Sequence, residues 1–143
     1  MASVIHTTNA PAAVGPYSQP MDCGEFVFCS GQIPLVPETG LMAEGGIEAQ
    51  SRQMFANIKA VLNAADLDFC NVVKTTVFMT DLSQFGVFND IYAQYFPSNP
   101  PARSCVQVSA LPKGAMVECE VIANDNQPRK DRCGLHEGCS GLL

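Results

Sequence analysis

Ala102-Arg103-Ser104-Cys105-Val106-Gln107-Val108 is the stretch on which the reading of this chain turns. Side chains alternate across a strand, so Ser104, Val106 and Val108 belong to one face and Arg103, Cys105 and Gln107 to the other. The stretch follows the rigid Pro100-Pro101 pair and carries a guanidinium on a fixed element, where a planar fork can donate two parallel hydrogen bonds to a carboxylate or phosphate. A surface arginine or a structural ion pair would leave the same residue there, and residue type alone does not separate these readings. Cations are scarce, however: before residue 129 the chain has only Arg52, Lys59, Lys74, Arg103 and Lys113.

Downstream, Leu111-Pro112-Lys113-Gly114 turns the chain into a last strand over 116–124. There Val117, Cys119, Val121 and Ala123 share one face, and Glu118, Glu120 and Ile122 the other. Upstream, Phe85, Phe88, Tyr92 and Tyr95 form a helical stripe that Ser83 is placed to cap, with Asn89 one residue beyond it, either at its edge or solvated. The β-branched run Val72-Val73-Lys74-Thr75-Thr76-Val77-Phe78-Met79 predicts a central strand. Ile47, Met54, Phe55, Ile58, Val61, Leu62 and Ala65 predict an amphipathic helix of about five turns. Residues 3–8 read as a first strand, and the segment 9–20, broken by three prolines and a glycine, as a shaped loop. Tyr17 near its end either lines a pocket or pins the loop to the core. Glu25-Phe26-Val27-Phe28-Cys29 is a strand that pauses at Ser30-Gly31, where the missing Cβ admits a ligand or another backbone, and resumes over 32–36.

The order strand, strand, strand, helix, strand, helix, strand, strand predicts an α+β domain, with two helices covering one face of a mixed sheet. The other face, to which Arg103, Cys105 and Gln107 are assigned, has mixed polarity. It calls for neighbouring subunits that leave clefts between them. Residues 1–126 form this one domain. From residue 127 a glycine-rich stretch, basic at its start, reads as an appended, flexible tail, whose Cys133, His136 and Cys139 offer three metal ligands with no fourth evident, a weak signal for zinc.

Composition narrows the function. Of 143 residues 47% are apolar and 15% charged, as in a globular domain. A net charge of −6 without a basic cluster before residue 129 argues against a nucleic-acid surface. No apolar run reaches the ~20 residues of a membrane span, and the first residues lack the pattern of a signal peptide, so the expected location is cytoplasmic. Seven cysteines, odd in number and without a CxxC, read as reduced thiols rather than a disulfide framework. The only histidines are His6 and His136, and GxGxxG, P-loop, GxSxG and HExxH motifs are absent. What remains is an arginine for a substrate anion, two carboxylates on one strand face and a free cysteine, a set suited to adding water to an already electrophilic centre.

Several blocks in order, Asn9-Ala10-Pro11-Ala12-Ala13-Val14-Gly15-Pro16-Tyr17, Ser30-Gly31-Gln32-Ile33-Pro34, Val73-Lys74-Thr75-Thr76-Val77-Phe78, Pro101-Ala102-Arg103-Ser104-Cys105-Val106 and Leu111-Pro112-Lys113-Gly114, resemble RidA-type members of the Rid family of reactive intermediate (enamine/imine) deaminases. The resemblance, over about 4–124, implies a chorismate-mutase-like fold assembled as a homotrimer with clefts between subunits. It implies hydrolysis of 2-aminoacrylate (2-iminopropanoate) and 2-iminobutanoate to 2-oxo acids and ammonia without metal or cofactor. By the same resemblance Arg103 anchors the substrate carboxylate, Glu118 positions water, Tyr17 lines the cleft, and Ser30, Gly31, Asn89 and Cys105 complete its wall. The connection into Arg103 is shorter than is typical of the family, and the tail has no counterpart in it. Two other readings stay open: an endoribonuclease or translation inhibitor, and a non-catalytic, chaperone-like trimer that binds small molecules.

Overall fold

The computed structural model describes residues 2–125. The tail read over 127–143, with Cys133, His136 and Cys139, lies outside the described residues. In chain order the elements are β1 (Ser3–Val4), β2 (Pro20–Asp22), β3 (Phe26–Gln32), α1 (Gly46–Ala64), β4 (Val72–Met79), α2 (Phe85–Tyr95), β5 (Ala102–Gln107) and β6 (Val117–Asn124). The described strands form one six-stranded sheet in the order β1-β2-β3-β6-β4-β5. Only β4 and β5 pair in parallel, and they are the pair joined through a helix, because parallel neighbours need a crossover whereas antiparallel ones do not.

Both helices cover one face of this mixed sheet, the arrangement expected of the α+β class. Helix α1 buries Met54, Phe55, Ile58, Val61 and Leu62, the stripe legible in the sequence. Phe55, fully buried, stacks on Tyr95 with ring centroids 4.3 Å apart and lies 6.1 Å from Phe88. Burial of one such phenylalanine contributes about 2–3 kcal/mol, so this junction of α1 and α2 is a main source of cohesion. The sheet side of the core is Val27 and Cys29 of β3, Val77 and Met79 of β4, and Val117, Cys119, Val121 and Ala123 of β6. Among the described residues no helix is long and apolar enough to cross a membrane.

Cys70, read as a reduced thiol, is disulfide-bonded, and in its strands and capping the structure departs from the sequence reading at five further places. Strand β1 stops at Val4, and at Thr7 both backbone groups bond to the Gln19 side chain instead of a ladder. Strand β2 lies at the end of the segment read as loop, and Pro20 is tolerated as its first residue. Strand β3 ends at Gln32 after a bulge at Ser30 and Gly31; beyond Pro34, Leu35 makes one isolated bridge, to Met42. Asp81, not Ser83, caps the approach to α2: its carboxylate accepts from the Ser83 N–H at 2.9 Å and opens a 3-10 turn, Leu82–Gln84, that runs into the helix. Lastly, Arg103, Cys105 and Gln107 alternate with their neighbours as expected, but on the helix-covered face rather than the open one. Cys105 packs against the core, the Gln107 side-chain Oε1 accepts from the Leu82 N–H at 2.9 Å, and Arg103 lies over the rings of α2. Aromatic faces attract a guanidinium, which lets this face bury an arginine that a polarity count assigns to the outside.

Candidate functional site

The residues implicated by sequence fall into two groups within one chain. The first gathers on the helix side of edge strand β5. Arg103 Nη1 donates to Asn89 Oδ1 at 2.9 Å, and its guanidinium carbon lies 4.5 Å from the Tyr92 ring centroid and 5.3 Å from that of Phe85. Asn89, one residue beyond the helical stripe, is therefore at the stripe's edge rather than solvated. Cys105 follows two residues on, half-buried; burial pushes its thiol up from the usual cysteine range, against the opposing pull of Arg103, so it is held as the weakly nucleophilic thiol. No described carboxylate pairs with Arg103, whereas Arg52 meets Glu48 at 3.5 Å and Lys59 meets Asp68 at 3.7 Å. Arg103 thus keeps donors available for an outside anion.

The second group lies on the open face. The β3 bulge turns Ser30 and Gly31 beneath the β6 carboxylates: a Cβ added at Gly31 would stand 2.5 Å from Glu118 Oε1 and 3.2 Å from its Cγ. Gly31 is glycine because the Glu118 side chain occupies the space a methyl group needs. Glu118 is half-buried, and burial first and the neighbouring Glu120 second raise its carboxyl above the ordinary glutamate range. Ser30 holds the preceding loop: its Oγ donates to the Ser18 carbonyl at 2.6 Å and its N–H to the Gln19 carbonyl at 2.8 Å. Tyr17, at the end of that loop, is 46% exposed with its hydroxyl accepting from the Val14 N–H at 3.4 Å, which makes it a pocket wall and not a plug in the core. Tyr17 and Ser30 line a groove of ≈ 540 Å³ with Lys74, Thr76 and Glu120.

Three contributors escaped the sequence reading. Gln19 is 2% exposed and ties the Tyr17 loop together, accepting from the Thr7 N–H at 2.8 Å and donating to the carbonyls of Thr7 and Pro11 at 3.0 and 2.9 Å. An isolated glutamine in a proline-rich loop carries no sequence signal for that. Lys74, whose Nζ donates to Ser104 Oγ at 3.1 Å, enters the groove because β4 and β5 pair in register, which strand alternation does not disclose. Tyr92 was legible only as stripe. Among the described residues no three His, Cys, Asp or Glu side chains gather as a metal site requires.

The two groups do not meet within one chain. In register Arg103 stands beside Thr75, and Glu118 beside Phe78 on the far side of β4. Three residues along and two strands across amount to about 10 Å in each direction, with the side chains on opposite faces. A guanidinium that can fork a carboxylate and a partly desolvated carboxylate that can hold a water are complementary tools for hydrolysing a small anion, but they lie on opposite sides of the sheet.

Comparison with known proteins gives this arrangement a context. A family profile described as Endoribonuclease L-PSP matches residues 7–125. The human 2-iminobutanoate/2-iminopropanoate deaminase is 47% identical over 120 residues, covering 84% of this chain and 88% of the relative. The structure of YyfA from Yersinia pestis, a member of the conserved Rid protein family, superposes with a TM-score of 0.83 at 52% identity, covering 87% of this chain and 99% of that one. The structure of E. coli TdcF with bound serine matches with a TM-score of 0.83 at 43% identity over 87% of this chain and 99% of that one.

Proposed function

The chain belongs to the Rid family, and on that premise we propose that it is a 2-iminobutanoate/2-iminopropanoate deaminase, hydrolysing reactive imines and their enamine tautomers, 2-aminoacrylate among them, to 2-oxo acids and ammonia in the cytoplasm. The observation that carries the reading is Arg103, a cation fixed by Asn89 and two rings and left without a carboxylate partner among the described residues. Its free donors take the substrate carboxylate. Glu118 orients a water and accepts its proton as the oxygen adds to C2; the resulting carbinolamine receives a proton on nitrogen and expels ammonia, leaving the 2-oxo acid. A protonated imine carbon is electrophilic already, so orientation and exclusion of other nucleophiles are enough and no metal or cofactor is called for. Tyr17, Ser30 and Gly31 wall the water side of the cleft, and Asn89 and the Cys105 backbone the carboxylate side.

Because Arg103 and Glu118 project from opposite faces, one small substrate reaches both only if a second copy supplies one of them. A homotrimer with clefts between subunits meets that requirement. Phe28 and Val106, 46% and 44% exposed on the open face, are apolar surface for such a neighbour to cover.

The test is a coupled assay in which threonine dehydratase generates 2-iminobutanoate and ammonia release is followed. The wild-type protein accelerates release and Arg103→Ala does not, while the variant keeps the wild-type oligomeric state. Equal rates with the two proteins refute the assignment.

A further inference from the structure

Tyr92 has no place in the reaction as described so far, yet its ring centroid lies 4.5 Å from the guanidinium carbon of Arg103. Two observations separate this contact from ordinary core packing. The first is how the ring is fixed. Tyr92 is 6% exposed, and its hydroxyl lies 2.8 Å from Oγ1 of Thr75, which is fully buried. Thr75 is the residue that β4 sets beside Arg103 in the parallel register, so the bond ties the ring to the strand position adjoining the arginine it carries. The second is what surrounds the cation. Asn89 occupies one donor, at Nη1, Phe85 flanks it at 5.3 Å, and no described carboxylate pairs with it.

We propose that Tyr92, pinned by Thr75, is a positioning residue for Arg103: with Phe85 it holds the guanidinium so that the donors Asn89 leaves free meet the substrate carboxylate. The inference rests on the reading of Arg103 as the carboxylate anchor. An aspartate or glutamate in the place of Tyr92 would also order the guanidinium, but it would consume the N–H pair a substrate needs. An aromatic face attracts the cation and accepts none of the N–H groups around its rim. Ordering the clamp beforehand lowers the entropic cost of binding, so Tyr92 acts on the capture of the carboxylate and not on the addition of water at C2.

The experiment compares KM and kcat for 2-iminobutanoate, and the dissociation constant of the stable product 2-oxobutanoate by calorimetry, in Tyr92→Leu, Tyr92→Phe and Thr75→Val. Loss of the ring in Tyr92→Leu raises KM and the dissociation constant by about five- to tenfold, with kcat within about twofold. Loss of the pin alone, in Tyr92→Phe or Thr75→Val, raises both constants by about twofold, and the two changes combined are no worse than either. Since Tyr92→Leu also opens the core, ring-fluorinated phenylalanines at position 92 supply a second measurement: they keep the volume and weaken the electrostatic attraction of the ring face, so KM climbs with each fluorine. A flat KM across that series, an unchanged dissociation constant in Tyr92→Leu, or a fall in kcat at constant KM overturns the proposal. Arg103→Ala distinguishes the two levels of inference. If it leaves 2-oxobutanoate binding intact, the anchor reading itself fails; if it abolishes binding while every Tyr92 variant binds like wild type, only the positioning role fails.

Discussion

Two inactive variants of this protein should restore activity to each other. On the proposed assignment Arg103→Ala removes the carboxylate anchor and Glu118→Gln the water-holding carboxylate, and loss of a charge-assisted, partly desolvated contact of this kind costs about 10²-fold or more in kcat/KM. Arg103 and Glu118 sit on opposite faces of one sheet, three residues apart in register and two strands apart, about 14 Å between Cα positions. A four-carbon imino acid cannot bridge that separation through a sheet. On the proposed assignment each working cleft therefore takes Arg103 from one copy and Glu118 from the next. When the two variants are mixed in equal amounts and the subunits exchange at random, about one cleft in four unites an intact Arg103 with an intact Glu118 in any closed ring of identical heterologous interfaces. Mixing through denaturation and refolding, or co-expression with two affinity tags, followed by the coupled dehydratase assay, should recover about a quarter of wild-type activity. Were both residues to serve one cleft from the same chain, no mixed assembly would contain an intact site. An exchanged mixture, verified by native mass spectrometry, that is no more active than its components refutes the two-copy cleft.

Other perturbations follow from the same geometry. Because burial and Glu120 raise the Glu118 carboxyl above its unfolded value, the folded chain binds that proton more tightly than the unfolded one, and stability falls as pH rises through the raised value. Glu118→Gln is thus expected to be inactive yet more resistant to denaturant than wild type at pH 7, with the advantage vanishing once the solution is acidified below the ordinary carboxylate range; a variant less stable at neutral pH contradicts this. Glu120→Gln removes the like charge, so the acid limb of the kcat/KM profile should move to lower pH, and an unmoved limb counts against Glu118 as the group that loses its proton. Gly31→Ala places a methyl group 2.5 Å from Glu118 Oε1 and should cut kcat while leaving the circular dichroism spectrum unchanged; wild-type turnover would mean that the Glu118 orientation is immaterial. Gln19→Leu strands one N–H and two carbonyls in a partly buried setting, and urea denaturation should show a loss of about 1–3 kcal/mol, with a loss under ~0.5 kcal/mol showing that the loop resatisfies them.

The sequence disclosed those features that repeat or stand alone. Helix α1 was legible because its stripe continues for five turns, and β6 because Val117, Cys119, Val121 and Ala123 alternate without a fault. Arg103 was legible as a scarce cation on a strand, and the ordered sequence blocks identified the family. The face that Arg103 occupies was not legible. Alternation sorts residues into two sets but does not say which set meets the helices, and a polarity count sends an arginine outward unless the rings that receive it are known. Those rings, Phe85 and Tyr92, sit 18 and 11 residues earlier in the sequence, and only the parallel β4–β5 pairing and the course of α2 bring them together. Capping of α2 failed for a local reason: Asp81 and Ser83 are both competent caps, and the intervening 3-10 turn shifts the choice to the aspartate. Gln19 acts through three bonds to segments whose shape it also determines, a circular dependence that no local pattern records.

The same placement of charge bears on the ribonuclease description that part of this family carries. Phosphoryl transfer spreads negative charge over the equatorial oxygens of its transition state, and catalysts of it converge several cations on one phosphorus. Four of the five described cations of this chain do the opposite. Arg52 and Lys59 are engaged by Glu48 and Asp68, while Arg103 and Lys74 are held on opposite faces of the sheet. The face that carries Lys74 also presents Glu118 and Glu120, which repel a phosphodiester. A 2-imino acid asks for less. Its single carboxylate needs one arginine, and its reacting carbon gains no negative charge that must be stabilised, because water adds to a cationic iminium. A carboxylate beside that carbon, harmful to a phosphodiester, favours the iminium electrostatically. The charge layout therefore discriminates between the two chemistries where the fold, shared by both descriptions, does not.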